Sequence, residues 1–178
     1  MTWEGVVGLE VHVQLRTGRK LFCPDRLVFG APPNHHVCPV CLGLPGALPT
    51  PDPAAVRLGV RAALRVGSAV QPRSVWDRKH YHYPDLPKGY QITQFERPLA
   101  IGGRLRFEGP GGPRVVRIRR VHMEEDAGKL VHDRLPDATA VDYNRAGAPL
   151  VEIVTEPDLR TPGDAKAFVA EGRRTLRR

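Results

Sequence analysis

The chain has 178 residues, 41% hydrophobic and 26% charged, enough for one ordinary domain with a buried core and without an apolar run long enough to span a membrane. Eighteen Gly and eighteen Pro exclude a bundle of long helices, because both residues interrupt them. Lys and Arg number 27 against 19 Asp and Glu, a formal net charge of +8; this raises the question of an anionic partner, although Arg enrichment also follows from genome composition or thermal adaptation.

In chain order, Val7, Leu9, Val11, Val13 and Leu15 alternate with Glu10, His12 and Gln14, the period of a strand with one buried face. Glu10 and His12 then project the same way. Residues 22–53 read as a long loop, which calls for an internal staple or a function. A helix follows, with Asp52 as N-cap, Pro53 at N1 and Val56, Val60 and Ala63 or Leu64 as its apolar stripe. Arg57, Arg61 and Arg65 lie on its polar side, more often a solvated face than a nucleic-acid contact. Residues 77–94, DRKHYHYPDLPKGYQITQ, lack periodicity and read as a shaped loop.

A hairpin is expected from Leu105 and Phe107 through the turn at Gly109–Pro113 to a return strand ending near Glu125. Its apolar positions are even at Val116 and Ile118 but odd at Val121 and Met123, a slip that a bulge near Arg119 explains. Two more strands, Val141–Asn144 and Leu150–Glu156, flank the turn-forming RAGAP. The last element is a helix with Thr161 as N-cap, Pro162 at N1, Asp164 at N3 and an apolar stripe of Ala165, Phe168, Val169 and Leu176. The expected fold is α+β: an antiparallel or mixed sheet with flanking helices.

Two constellations carry chemistry. The first is Cys23 with Cys38 and Cys41 of the CPVC segment, whose two-residue gap lets both thiolates reach one tetrahedral metal. Asp25 and the pair His35 and His36 are near enough in sequence to supply a fourth ligand, so a zinc loop over residues 22–46 is expected, with Asp25 or His36 completing it. Free structural thiols and a redox pair are the alternatives. Three Cys are an odd number for a disulfide framework, and the start of the chain lacks the pattern of a secretory signal, so a cytoplasmic location is expected. The second constellation is Glu10 with His12, the run His122-Met123-Glu124-Glu125-Asp126, and Glu152, all near strand ends. Carboxylates on neighbouring strands repel unless a cation sits among them, and hard oxygen ligands suit Mg²⁺ working on nucleotide phosphates. Scattered surface acids are the plainer alternative.

The segments GLEVHVQL, FGAPPN, CPVCLGLPG, DRKHYHYPDLPKGYQITQ, HMEEDAGKL and VDYNRAGAPLVEIVTEPDLR closely resemble, in order and spacing, the amino-terminal catalytic region of the B-subunit family of tRNA-dependent aspartyl/glutamyl amidotransferases. The resemblance runs from about Val6 to Arg178. It implies a glutamine synthetase-like catalytic (cradle) fold, here only its amino-terminal part, without the helical and carboxy-terminal tail domains. It further implies activation by ATP and Mg²⁺ of the side-chain carboxylate of misacylated Glu-tRNA(Gln) or Asp-tRNA(Asn), with ammonia supplied by a partner amidase.

The implied partners are the amidase (A-type) chain, the small C-type chain and misacylated tRNA, in a heterotrimer, with neither membrane nor DNA. The resemblance makes Glu10, His12, Glu124, Glu125 and Glu152 the magnesium candidates, with Glu125 and Glu10 as the catalytic pair. Arg78, Lys79, Lys88 and Arg145 become candidates for phosphate or tRNA contacts, and Tyr81, Tyr83 and Tyr90 for shaping the pocket. Many family members carry Cys-x-Cys where this chain has Cys23-Pro24-Asp25, so the fourth zinc ligand is missing or replaced. A truncated fragment that binds tRNA or the partner chains without turnover is the alternative function.

Overall fold

A computed structural model describes residues 2–177. The elements in order are β1 (Glu10–Gln14), α1 (Pro39–Leu42), α2 (Pro53–Arg65), β2 (Ala69–Val70), β3 (Asp77–His80), β4 (Tyr90–Thr93) and β5 (Ala100–Ile101), followed by β6 (Arg104–Gly109), β7 (Gly112–Glu125), β8 (Lys129–Leu135), β9 (Ala138–Asp142), β10 (Pro149–Thr155) and α3 (Pro162–Arg177). A six-stranded sheet runs β1-β10-β7-β5-β2, with β6 pairing the outer half of β7. β3 with β4, and β8 with β9, form two small ribbons. Every described pairing is antiparallel, so the α+β expectation holds in its antiparallel form.

The alternation of β1 is as read, with Glu10, His12 and Gln14 exposed, but its apolar side is only half-buried because β1 is an edge strand. On β7 the parity slip is a bulge. Val154 of β10 opposes Arg120 and Thr155 opposes Ile118, which leaves Arg119 without a partner on β10. One extra residue reverses which side each later residue faces. Val116, Ile118, Val121 and Met123 therefore all enter the core, while His122 and Glu124 are sent to the opposite face.

α2 begins as expected, with Asp52 Oδ1 accepting from the Ala54 amide at 3.0 Å. Its expected stripe is present in part: Ala63 is fully buried and Val56 and Val60 pack half-buried against the core, but Ala55, Gly59 and Ala62 are inside as well, and Leu64 is exposed. Small residues win because the helix lies close against the sheet. A Cβ at Gly59 would sit 2.9 Å from Met123 Sδ and 3.1 Å from Leu99 Cδ2. In α3 the cap is as read, since the Asp164 amide donates to Thr161 Oγ1 at 3.1 Å and the Thr161 hydroxyl donates to Asp164 Oδ2 at 2.8 Å. Phe168 packs edge-on against Phe107, whereas Val169 faces outward, one position off the face that the sheet covers.

Three readings of local structure need correction. Residues 77–94 contain the antiparallel pair β3 and β4 around a connecting loop; polar DRKH on one strand and adjacent buried Ile92 and Thr93 on the other erase the alternation. β8 has no counterpart among the expected strands, because KLVHDRL does not alternate. The strand expected at Val141–Asn144 is Ala138–Asp142 and pairs β8. Asn144 lies beyond it as a clamp, its Nδ2 donating to the Pro32 carbonyl at 2.7 Å and its Oδ1 accepting from the His36 amide at 2.9 Å. Among the described residues no helix is long and apolar enough to cross a membrane.

Candidate active site and candidate metal centre

Antiparallel register builds the first site. His12 on β1 is opposite Glu152 on β10, which is opposite His122 on β7, so three polar side chains form one row across one sheet face. Glu124 joins them from the next position on that face of β7. His12 Nε2 lies 2.9 Å from Glu124 Oε1 and 3.5 Å from Glu152 Oε2. His122 Nε2 lies 2.9 Å from Glu152 Oε2 and 3.6 Å from Glu124 Oε2. The hydroxyl of Thr93 on β4 donates to Glu124 Oε2 at 3.1 Å. His12 is half exposed at the sheet edge, while the side chains of His122, Glu124 and Glu152 retain 4%, 6% and 10% exposure. The cluster is therefore open on one side only.

Burial works against the charged form of His122, but hydrogen bonds to Glu124 and Glu152 outweigh it and raise its pKa above the ordinary histidine value. The same hydrogen bond from His122 leads the causes that lower the pKa of Glu152. The Glu152 carboxylate is thus favoured in its ionised form, and it stands with Glu124 between two imidazoles in a largely dry pocket, an arrangement able to receive a cation.

Not all the expected acids meet there. Glu10 shares the face of His12 but sits opposite Val154, outside the group of His12, Glu124 and Glu152 whose ligand atoms all lie within 4.8 Å of one another. Glu125 is turned to the other face, because consecutive strand residues point oppositely. There its carboxylate pairs with Lys88 Nζ and accepts from the Ile92 amide at 2.9 Å. Of the two adjacent acids, Glu124 faces the cluster. His122, which the sequence shows only as part of a run, is the added member. Its signal was the parity slip, which puts it in step with Glu124.

The outer candidates divide as well. Arg78 and Lys79 on β3, with Tyr81 and Tyr83 beyond it, are exposed, and the Arg78 guanidinium lies 4.8 Å from the centre of the Tyr90 ring. Lys88 is buried against Glu125. Arg145 is occupied within the fold, donating to the carbonyls of Ala127 and Gly128 at 3.0 and 2.7 Å and lying 3.4 Å from Asp126 Oδ2.

The second site gathers Cys23, Asp25, Cys38 and Cys41, again with ligand atoms mutually within 4.8 Å. Cys41 Sγ lies 3.6 Å from Cys23 Sγ, 3.8 Å from Cys38 Sγ and 3.1 Å from Asp25 Oδ2. His36 is not in the group, for its backbone is tied to Asn144 and to Lys20. The single helical turn α1 brings Cys38 and Cys41 together, and Gly43 closes it at φ 66°, a left-handed position natural to glycine. Lys20 is the residue sequence reasoning missed. It is fully buried, and its ammonium donates to the carbonyls of His36 at 2.8 Å and Tyr143 at 3.1 Å and to Cys41 Sγ at 3.2 Å. A hydrogen bond with Cys23, helped by the Lys20 charge, lowers the Cys41 pKa to about 6. Cys23 shifts upward through that same bond, and burial raises Cys38.

A sequence profile of the GatB/GatE catalytic domain matches residues 5–178. The chain belongs to this family. Within the GatB/GatE family it is 53% identical over 178 residues to the B subunit of the aspartyl/glutamyl-tRNA(Asn/Gln) amidotransferase of Moorella thermoacetica, covering 99% of this chain and 37% of that one. It is 56% identical over 168 residues to the protein of the same name from Thermus thermophilus, covering 94% and 34%. With the Thermomicrobium roseum protein of that name it shares 53% identity over 180 residues, covering 99% and 37%. The chain therefore spans about a third of the length of the curated relatives it matches.

Proposed function

We propose that the chain is the amino-terminal part of the catalytic (cradle) domain of an amidotransferase B-type chain, with a glutamine synthetase-like fold. Its substrate is the side-chain carboxylate of misacylated Glu-tRNA(Gln) or Asp-tRNA(Asn). A carboxylate is a poor acyl electrophile, so one of its oxygens first attacks the γ-phosphorus of ATP and ADP departs. Ammonia from the partner amidase, assembled with the small C-type chain in the cytoplasm, then attacks the acyl carbon and phosphate leaves. The observation that carries this reading is the convergence of His12, Glu124 and Glu152 on one sheet face in a chain of this family.

The donor set fits Mg²⁺, since two carboxylates offer hard oxygens and the imidazole of His12 lies within reach of both. A bound Mg²⁺ supplies positive charge that neutralises phosphate oxygens. Among the chain's own groups, Glu124, Glu152 and His12 would hold the ion, while Arg78 and Lys79 on the exposed β3 ribbon offer cations to phosphates or to the tRNA acceptor end. Tyr81, Tyr83 and Tyr90 border that ribbon. Three thiols and a carboxylate at mutual coordinating distance likewise fit a structural Zn²⁺, held by Cys23, Asp25, Cys38 and Cys41. Lys20 would offset part of the anionic charge of that ligand set.

A binding module without turnover is the second reading, in line with the exposed cations Arg78 and Lys79 on β3. Glutamine-free ATP turnover separates the two. Phosphate release that depends on misacylated tRNA and is lost in E124Q supports activation chemistry. Binding of misacylated tRNA with no phosphate release, both by the chain alone and with its partner chains present, supports the module.

A further inference from the structure

His122 is the most enclosed polar side chain of the cluster, with 4% exposure, yet the proposed ion needs only groups that reach the open side at His12. Its ring is placed between the two acids. Nε2 is 2.9 Å from Glu152 Oε2 and 3.6 Å from Glu124 Oε2. With only carboxylate oxygens before it, Nε2 carries the hydrogen. The other ring nitrogen, Nδ1, is buried without a partner, so the ring acts through Nε2 alone. Glu124 Oε1 is left facing His12 Nε2 at the open edge.

We propose that His122 is a positioning residue, whose Nε2 hydrogen bond fixes the Glu152 carboxylate, with Glu124 beside it, in the orientation that receives a divalent cation from the His12 side. This deepens the magnesium reading and rests on it. Two carboxylates on adjacent strands repel and swing apart unless a donor is shared between them. Within a largely dry pocket that donor must come from the protein, and His122 is the buried group with a donor facing both acids. Such outer partners of ligating groups typically govern about 10- to 100-fold in metal affinity.

The test uses Mn²⁺, an EPR-visible divalent ion, titrated into the full chain. In H122Q the amide nitrogen falls near the place of Nε2, whereas in H122N it falls near Nδ1, the nitrogen that has no partner. Both substitutions are polar and of modest size, so both should leave soluble protein, and thermal melting is measured alongside. The expected result is Mn²⁺ binding by H122Q close to that of the unsubstituted chain, and binding by H122N weaker by about 10- to 100-fold. V151A, which thins the apolar side of β10, should lower the melting temperature without moving Mn²⁺ affinity. Equal affinities in H122N and H122Q overturn the positioning role, as does a loss in both that tracks the melting temperature. Absence of Mn²⁺ binding by the unsubstituted chain overturns the magnesium reading together with this one, whereas normal binding there with no difference between the variants overturns the role of His122 alone.

Discussion

Glu124 and Glu125 are neighbours on β7 and serve opposite faces: Glu124 Oε1 meets His12 Nε2 at 2.9 Å, while Glu125 pairs with buried Lys88 on the far side. Their substitutions should therefore fail in different ways. E125Q strands the Lys88 ammonium in a site where its side chain keeps 6% exposure, and breaking a buried pair by removing one partner costs about 3–5 kcal/mol. Urea unfolding of E125Q should show a loss of that order, with much of it recovered in K88M/E125L. E124Q should stay near the unsubstituted stability and lose divalent-ion binding instead. A stable E125Q would mean that Lys88 escapes to solvent and that the pair does not brace the site.

The thiol centre makes a prediction about protons. With the Cys41 pKa near 6 and those of Cys23 and Cys38 raised, one of three thiols is already ionised near neutral pH. Zinc binding requires thiolates, so about two protons should be released per ion bound. Titration calorimetry in buffers of different ionisation enthalpy counts them. Release of three would place Cys41 among the ordinary thiols. D25A should weaken zinc retention and H36A should not, because only Asp25 stands with the sulfurs.

Much of this was legible in the sequence wherever a period or a cap could speak. The β1 alternation, the Asp52 and Thr161 caps and the slip near Arg119 each have one physical cause and appear in the structure in place. What was hidden depended on partners far along the chain. Nothing near Lys20 shows that it will be sealed beneath Cys41, since its acceptors come from His36 and Tyr143. Glu10, Glu124, Glu125 and Glu152 look equivalent in sequence; only cross-strand register admits Glu124 and Glu152 to the cluster and leaves the other two out. A clamp between residues 32–36 and 141–144 ties FGAPPN to VDYN across more than a hundred residues, which neither segment shows alone: Asn34 Oδ1 accepts from the Tyr143 amide at 2.8 Å and Asn144 Nδ2 donates to Pro32.

Gly59 tests how closely α2 must lie against the sheet. Glycine in a helix interior is unfavourable by about 1 kcal/mol relative to alanine, so helix propensity alone favours replacing it. Packing opposes this, with Met123 Sδ 2.9 Å and Leu99 Cδ2 3.1 Å from the place of a Cβ. G59V adds two further methyl groups at a branched Cβ and should destabilise by about 1–3 kcal/mol through overpacking. An unchanged denaturation midpoint would show that the helix can move outward freely.

Asp158 gives the acid limb of stability a specific origin. Its carboxylate accepts from the Arg117 amide at 3.0 Å and from the guanidinium at 2.9 and 2.7 Å. These bonds lower its pKa from 3.8 to about 2. A carboxyl group depressed on folding stabilises the protein above its unfolded pKa, and that contribution fades as pH falls through the folded value. The guanidinium is largely exposed, with 69% exposure, so solvent and salt screen the pair and its worth is about 1 kcal/mol or less. D158N should therefore lower the urea midpoint at neutral pH, and the gap from the unsubstituted chain should close between about pH 4 and pH 2 as the native carboxylate protonates. Added salt should narrow the gap at neutral pH. A gap that stays constant down to pH 2 would show that Asp158 acts through its shape and neutral hydrogen bonds, with no part played by its charge.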